Sequence, residues 1–307
     1  MKTDWRPTYR SAAWLVLAGV IVWALGLGLW WTKVHQDSER VFWGMLANNL
    51  QTQSVTRELE QTTNQTKLKQ TIMQIYGPQT AILSRTNLTQ SGSSIETESI
   101  GTLGKDYIRY SKITSDQKGK NGKPLDFKPV LNRWASTDKP NNDEISAQQS
   151  PALLTEAALG LAGGNLIPFA NLPTKDRNEL LDQLRRNVVF DVKFDKQSVA
   201  KKLEKGLPVY TYKVDVQAVA YAAYEKTLAK KLGIKLLDKL DPNSFQGQPP
   251  IKVELRVDAW SHRLVSVKYQ DSGRNETYAS YGVQHQVVLP QTKLSGQQLQ
   301  ELVNKVE

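Results

Sequence analysis

Polar and apolar residues alternate without a break from Ile251 to Ala259: Ile251, Val253, Leu255, Val257 and Ala259 are separated by Lys252, Glu254, Arg256 and Asp258. That period of two is what a strand produces when one sheet face is buried and the other wet. Val188, Phe190, Val192 and Phe194 share one face of a second such stretch, against Val189, Asp191 and Lys193. Trp260-Ser-His-Arg reads as a turn into Leu264–Tyr269, which predicts a hairpin, and residues 276–290 supply a further strand. Upstream, Thr- and Gln-rich segments between residues 54 and 113 are separated by turn signals at Thr63-Asn64, Gly77-Pro78, Ser91-Gly92 and Gly101. Their spacing predicts an antiparallel meander.

Elsewhere the period lengthens to that of a helix. Ser38 precedes Val41, Phe42, Met45, Leu46 and Leu50, a capped helix with one apolar stripe. Ser150-Pro151 opens a second, with Leu153, Leu154, Ala157, Ala158 and Leu161 ahead of Gly163-Gly164. Thr174 precedes Leu180, Leu181 and Leu184; an Ala-rich helix places Val219, Ala220, Ala223 and Leu228 on one side; Ser295 starts the last, with Leu299, Leu302, Val303 and Val306 inward. An apolar loop, Leu166–Phe169, reads as a lid or as packing. Residues 114–150 read as a long polar loop, pinned by Trp134.

The N-terminus departs from both periods. Ala12–Trp31 contains no charged residue, and twenty helical residues span roughly 30 Å, the thickness of a bilayer's hydrocarbon core. Lys2, Arg6 and Arg10 precede it, and the excess of cations on that side predicts a cytoplasmic N-terminus. The expected organisation is a tail over residues 1–11, an uncleaved transmembrane helix over 12–32, a juxtamembrane linker over 33–40 and an exported α+β domain over 41–307. It predicts a single-pass, signal-anchored protein of the cell membrane with an extracytoplasmic domain. The expected fold is a curved antiparallel sheet, a half-barrel with helices on its concave face, behind that membrane helix.

Composition narrows the chemistry. The absence of cysteine excludes disulfides, thiolate metal sites and thiol catalysis. The net charge is +10, but the cations are dispersed and five of the eight tryptophans lie within residues 5–31. An anionic envelope polymer or lipid headgroup fits that distribution better than nucleic acid, which is not an expected partner. The histidines, His35, His262 and His285, form no H-x-x-x-H pair, and no G-x-S-x-G elbow occurs. Glu96, Glu98 and Asp191 sit on strand faces where carboxylates ordinarily solvate a sheet. No catalysis, metal or cofactor is expected. The remaining chemistry is apolar: Val188, Phe190, Phe194, Val253, Leu255 and Val257 describe an ordinary core or a greasy pocket, with Tyr210 and Tyr212 at its mouth or packed at its rim.

The order of elements, with residues 251–270 at the hairpin, resembles the LolA-like superfamily of lipoprotein carriers, which includes LprG/LppX-type envelope lipoproteins and the sensor RseB. Val253, Leu255, Val257, Asp258, Leu264, Val265 and Val267 carry the likeness over about residues 38–290. The resemblance implies an unclosed sheet enclosing an apolar cavity for acyl chains. The absence of a lipidated cysteine and of a cleavable signal departs from that pattern. The expected function is therefore non-catalytic binding of an apolar or lipid-like ligand, such as an acyl chain, at the envelope surface. The alternative is a structural or adhesive envelope protein with a filled core and a basic partner-binding surface.

Overall fold

The computed structural model describes residues 20–28, 30–31, 36–63, 65–77, 80–119, 122–138, 165–234 and 237–306. The folded body begins with helix α1 (Ser38–Asn49). Five strands follow, β1 (Ser54–Thr62), β2 (Thr66–Ile75), β3 (Ala81–Gln90), β4 (Ser93–Thr102) and β5 (Lys105–Thr114). Each pairs antiparallel with the next, and the turn residues set the meander. Inside the expected polar loop, β6 (Ala135–Asp138) adds to β5. Trp134 lies under the Arg109 guanidinium, 4.9 Å from its ring centroid. The helix expected after Ser150 lies outside the described residues.

The second half begins with α2 (Thr174–Arg186), β7 (Phe190–Asp191), β8 (Val199–Glu204), β9 (Leu207–Val216) and α3 (Ala218–Lys231). A 3-10 turn at Pro242–Phe245 leads to β10 (Ile251–Asp258), β11 (Arg263–Tyr269), β12 (Arg274–Ala279), β13 (Leu294–Ser295) and α4 (Gly296–Asn304). All strands join one sheet in the order β13-β6-β5-β4-β3-β2-β1-β12-β11-β10-β9-β7, with β8 also on the outer edge of β9. Strand β12 docks on β1 and thereby fuses the C-terminal hairpin to the meander.

Two expectations are corrected. The sheet is a large, open, mixed one rather than an antiparallel half-barrel, because β13 pairs parallel with β6. Among the described residues no helix is long and apolar enough to cross a membrane. The transmembrane helix over 12–32 is thus not supported. The same finding removes the support for a signal-anchored, single-pass protein of the cell membrane with its N-terminus inside. Residues 1–19 and 32–35 lie outside the described residues.

The core sits where α1 crosses the C-terminal half of the sheet. Val41, Phe42, Met45, Leu46 and Leu50 are fully buried against Val253, Leu255, Val257, Leu264 and Val267, all likewise inaccessible. Each side chain withdrawn in this way contributes about 1.5–3 kcal/mol. Asp37, not Ser38, caps α1, its Oδ1 accepting from the Glu39 and Arg40 amides at 3.1 Å. The apolar loop after residue 165 is packing: the Ala170 and Leu172 amides donate to the Asn49 and Leu50 carbonyls at 3.0 Å, and Phe169 stacks on Tyr278. A satellite core of Val130, Ala135 and Leu299 seats α4 on β6. There a capping box forms between Ser295, where the last helix is expected to start, and Gln298.

Candidate functional site

Helix α2 ends at Arg186, and its last turn is closed by the Val188 and Val189 amides, which donate to the Arg185 and Leu184 carbonyls. That closure puts Val188 in the left-handed region at φ +47°, where a β-branched side chain is disfavoured by about 1–2 kcal/mol. The kink exchanges the two valines: Val189 is inaccessible, while Val188 is 51% exposed, and from Phe190 onward the expected alternation holds. The strand expected over 188–194 shrinks to the two residues of β7, paired with the end of β9.

The displaced segment leaves a cleft of about 470 Å³ lined by Glu39 and Trp43 of α1, Arg185 of α2, and Val188, Phe190, Asp191, Val192 and Phe194. Its inner wall is aromatic. Phe42 makes edge contacts with Phe190, Phe194 and Tyr212, with ring centroids 5.4–6.2 Å apart, the geometry that aromatic quadrupoles favour. The Arg185 guanidinium lies 4.6 Å over the Trp43 ring, so that one wall is a stacked cation and indole. Charge in the lining is mixed, with Arg185 beside two carboxylates, Glu39 and Asp191.

Of the eight residues expected to bind a ligand, Val188, Phe190 and Phe194 meet in this cleft. Tyr212, Val253, Leu255 and Val257 do not reach it; they are inaccessible beneath α1. The two tyrosine hydroxyls anchor the start of α1: Tyr210 donates to the Gln36 carbonyl and Tyr212 to the Ser38 carbonyl, each at 2.8 Å. Burial raises both phenol pKa values. Trp43 and Arg185, which sequence reasoning did not single out, complete the cleft. Their stacking joins two helices that are distant in sequence, and no local pattern announces it.

A second chemical feature lies between α3 and the sheet. Glu276, inaccessible on β12, accepts from Arg274 Nε at 2.7 Å and Tyr269 at 3.3 Å, and also from Tyr278. Arg57 of β1 pairs with it at 3.5 Å. Nearby, the Tyr221 hydroxyl donates to the Asn165 carbonyl and Asn165 Nδ2 donates to Gln74 Oε1, both at 2.8 Å. Glu225, one helical turn beyond Tyr221 and buried, shares a hydrogen bond with it. Burial pushes its carboxyl up to about 7, the Tyr221 hydroxyl pulling the other way. Tyr76 and Tyr224 are also raised by burial. Among the described residues Gln74 Nε2, Tyr76 OH, Asn165 Oδ1 and Tyr224 OH meet no hydrogen-bond partner. No group of three or more His, Asp or Glu among the described residues is placed to hold a metal ion.

Compared with known proteins, the chain matches no family model and no curated protein.

Proposed function

We propose that this protein is a non-catalytic binding module whose cleft between α1, α2 and β7 takes an apolar or lipid-like ligand. The single observation that carries the proposal is Val188: an apolar side chain held half-exposed, in a backbone conformation it disfavours, on the wall of an aromatic cleft. Strain of this kind persists where the surrounding structure over-determines it, and it concentrates at ligand sites. A volume of about 470 Å³ falls in the range of small-molecule pockets. The apolar body of the ligand would lie on Trp43, Phe190 and Phe194, with its polar end at the rim beside Glu39, Arg185 and Asp191. The LolA-like resemblance agrees with a ligand of this class.

The test is native mass spectrometry of the full chain, followed by organic extraction. The expected outcome is an extractable apolar species held by the natural protein and lost when Val188→Trp and Val192→Trp fill the cleft. Equal masses, with nothing extracted from either protein, would refute the proposal. A second reading, a structural or adhesive protein, is favoured by the filled interior: Tyr212, Val253, Leu255 and Val257 are sealed under Phe42, Met45 and Leu46. That reading expects the apo mass.

A further inference from the structure

We propose that the end of the sheet formed by the β8–β9 and β10–β11 turns docks peripherally on an anionic lipid bilayer, without any segment having to cross it. Three pieces of chain meet at this end. Leu203 pairs with Pro208 across the β8–β9 hairpin, and the Ala259 amide donates to the Pro208 carbonyl at 2.9 Å, which sets the β10–β11 turn beside the hairpin tip. Trp31 reaches the same turn, with its ring edge-on to Trp260 at 5.9 Å.

The apolar groups at this end point outward. Leu203 is 75% exposed, Leu207 46%, Trp260 52% and Trp31 36%. Exposed aliphatic and indole groups gathered at one end of a folded domain mark an interaction surface, and indoles favour the headgroup layer of a bilayer.

Charge decides the kind of surface. Lys201, Lys202, Lys205 and Arg263 are all exposed there. The nearby carboxylates are engaged: Glu204 pairs with Arg256, Asp258 accepts from the Trp260 and Ser261 amides at 2.8 and 2.7 Å, and Asp37 accepts from the Glu39 and Arg40 amides. Lys201 is held against Gln36 and Arg263 over Tyr281, which leaves Lys202 and Lys205 as the exposed cations of this end that are not held against another side chain among the described residues. Flexible lysines are depleted at the centres of protein–protein interfaces. Beside an anionic lipid surface each is instead favourable. A Leu-Glu-Lys-Gly-Leu tip with a tryptophan beside it therefore suits lipid headgroups better than a rigid protein partner. The proposal is independent of the cleft.

The cysteine-free sequence makes the test clean. In the full chain, Leu203→Cys, Leu207→Cys and, as a control, Ser272→Cys in the turn at the opposite end of β11 are each labelled with an environment-sensitive fluorophore. Each is then mixed with vesicles of phosphatidylcholine alone or of phosphatidylcholine and phosphatidylglycerol in equal parts. The expected result is a blue shift at positions 203 and 207 with the mixed vesicles, and none at 272. Lys202→Ala and Lys205→Ala should each weaken the shift about fivefold in required lipid. No shift at 203 and 207, an equal shift at 272, or an equal shift on phosphatidylcholine alone would each overturn the proposal.

Discussion

Glu225 offers the sharpest test of the structure. Its carboxyl is buried on α3 with Tyr221 as its hydrogen-bond partner, so the folded protein keeps it protonated up to about pH 7, whereas in the unfolded chain it titrates near its ordinary value of 4.5. Between those values the folded state binds the extra proton, so stability falls as pH rises. Below pH 4.5 both states are protonated and the residue has no effect; above pH 7 the penalty is fully in place. At about 1.4 kcal/mol for each pH unit, the gap corresponds to about 3 kcal/mol. Glu225→Gln keeps the shape and the hydrogen-bonding capacity but has no proton to lose. Urea unfolding followed by far-ultraviolet circular dichroism should give the two proteins similar stability at pH 4.5. At pH 8 the variant should be the more stable by about 3 kcal/mol. Other titrating groups cancel in the difference; Tyr76, Tyr221 and Tyr224, which face Glu225, stay neutral throughout this range because burial raises them. Parallel pH profiles for the two proteins would refute the burial of this carboxyl.

Three further outcomes follow from local geometry. Val188→Gly should raise stability by about 1 kcal/mol by relieving the left-handed valine, and thermal denaturation would detect it; a loss of several degrees would contradict the strained turn. Tyr212→Phe removes the hydroxyl that holds the Ser38 carbonyl and should cost about 1 kcal/mol in urea unfolding, with a negligible change arguing against that anchor. Gly44→Ala drives a methyl against His262 Nδ1, an overpacking worth about 1–3 kcal/mol. The double variant Gly44→Ala/His262→Ala should recover part of that loss, and strict additivity would show that the two residues do not touch.

Much of the fold is legible in local pattern. The alternation from Ile251 to Ala259 is a strand whose Val253, Leu255 and Val257 are inaccessible, and the Ser295/Gln298 pair is a capping box. Where pattern misled, long-range contacts decided. Residues 276–290 read as one long strand, but Ser280 and Gly282 take positive φ and β12 ends at Ala279. The Ala-rich helix reads with Val219, Ala220, Ala223 and Leu228 on one side. The face that turns inward instead carries Ala222, Tyr224, Glu225, Leu228 and Ala229.

The candidate site divides along the same line. Phe190 and Phe194 could be named from their apolar alternation, because a two-residue period reports a buried face. Trp43 and Arg185 could not, because their stacking depends on how α1 and α2 meet. The apolar run at residues 12–31 predicted a membrane span by composition alone, and no described helix has the length to make one. By itself the sequence determined most of the strand and helix periods and the turns of the meander, since these depend on neighbours a few residues away. Tertiary structure alone decided that Glu225 would lose its water and that Val188 would turn outward into a cleft. Parallel pairing of β13 with β6 was likewise a tertiary outcome. Burial depends on side chains brought from far along the chain, as Tyr76 is brought beside Glu225, and no local period encodes it.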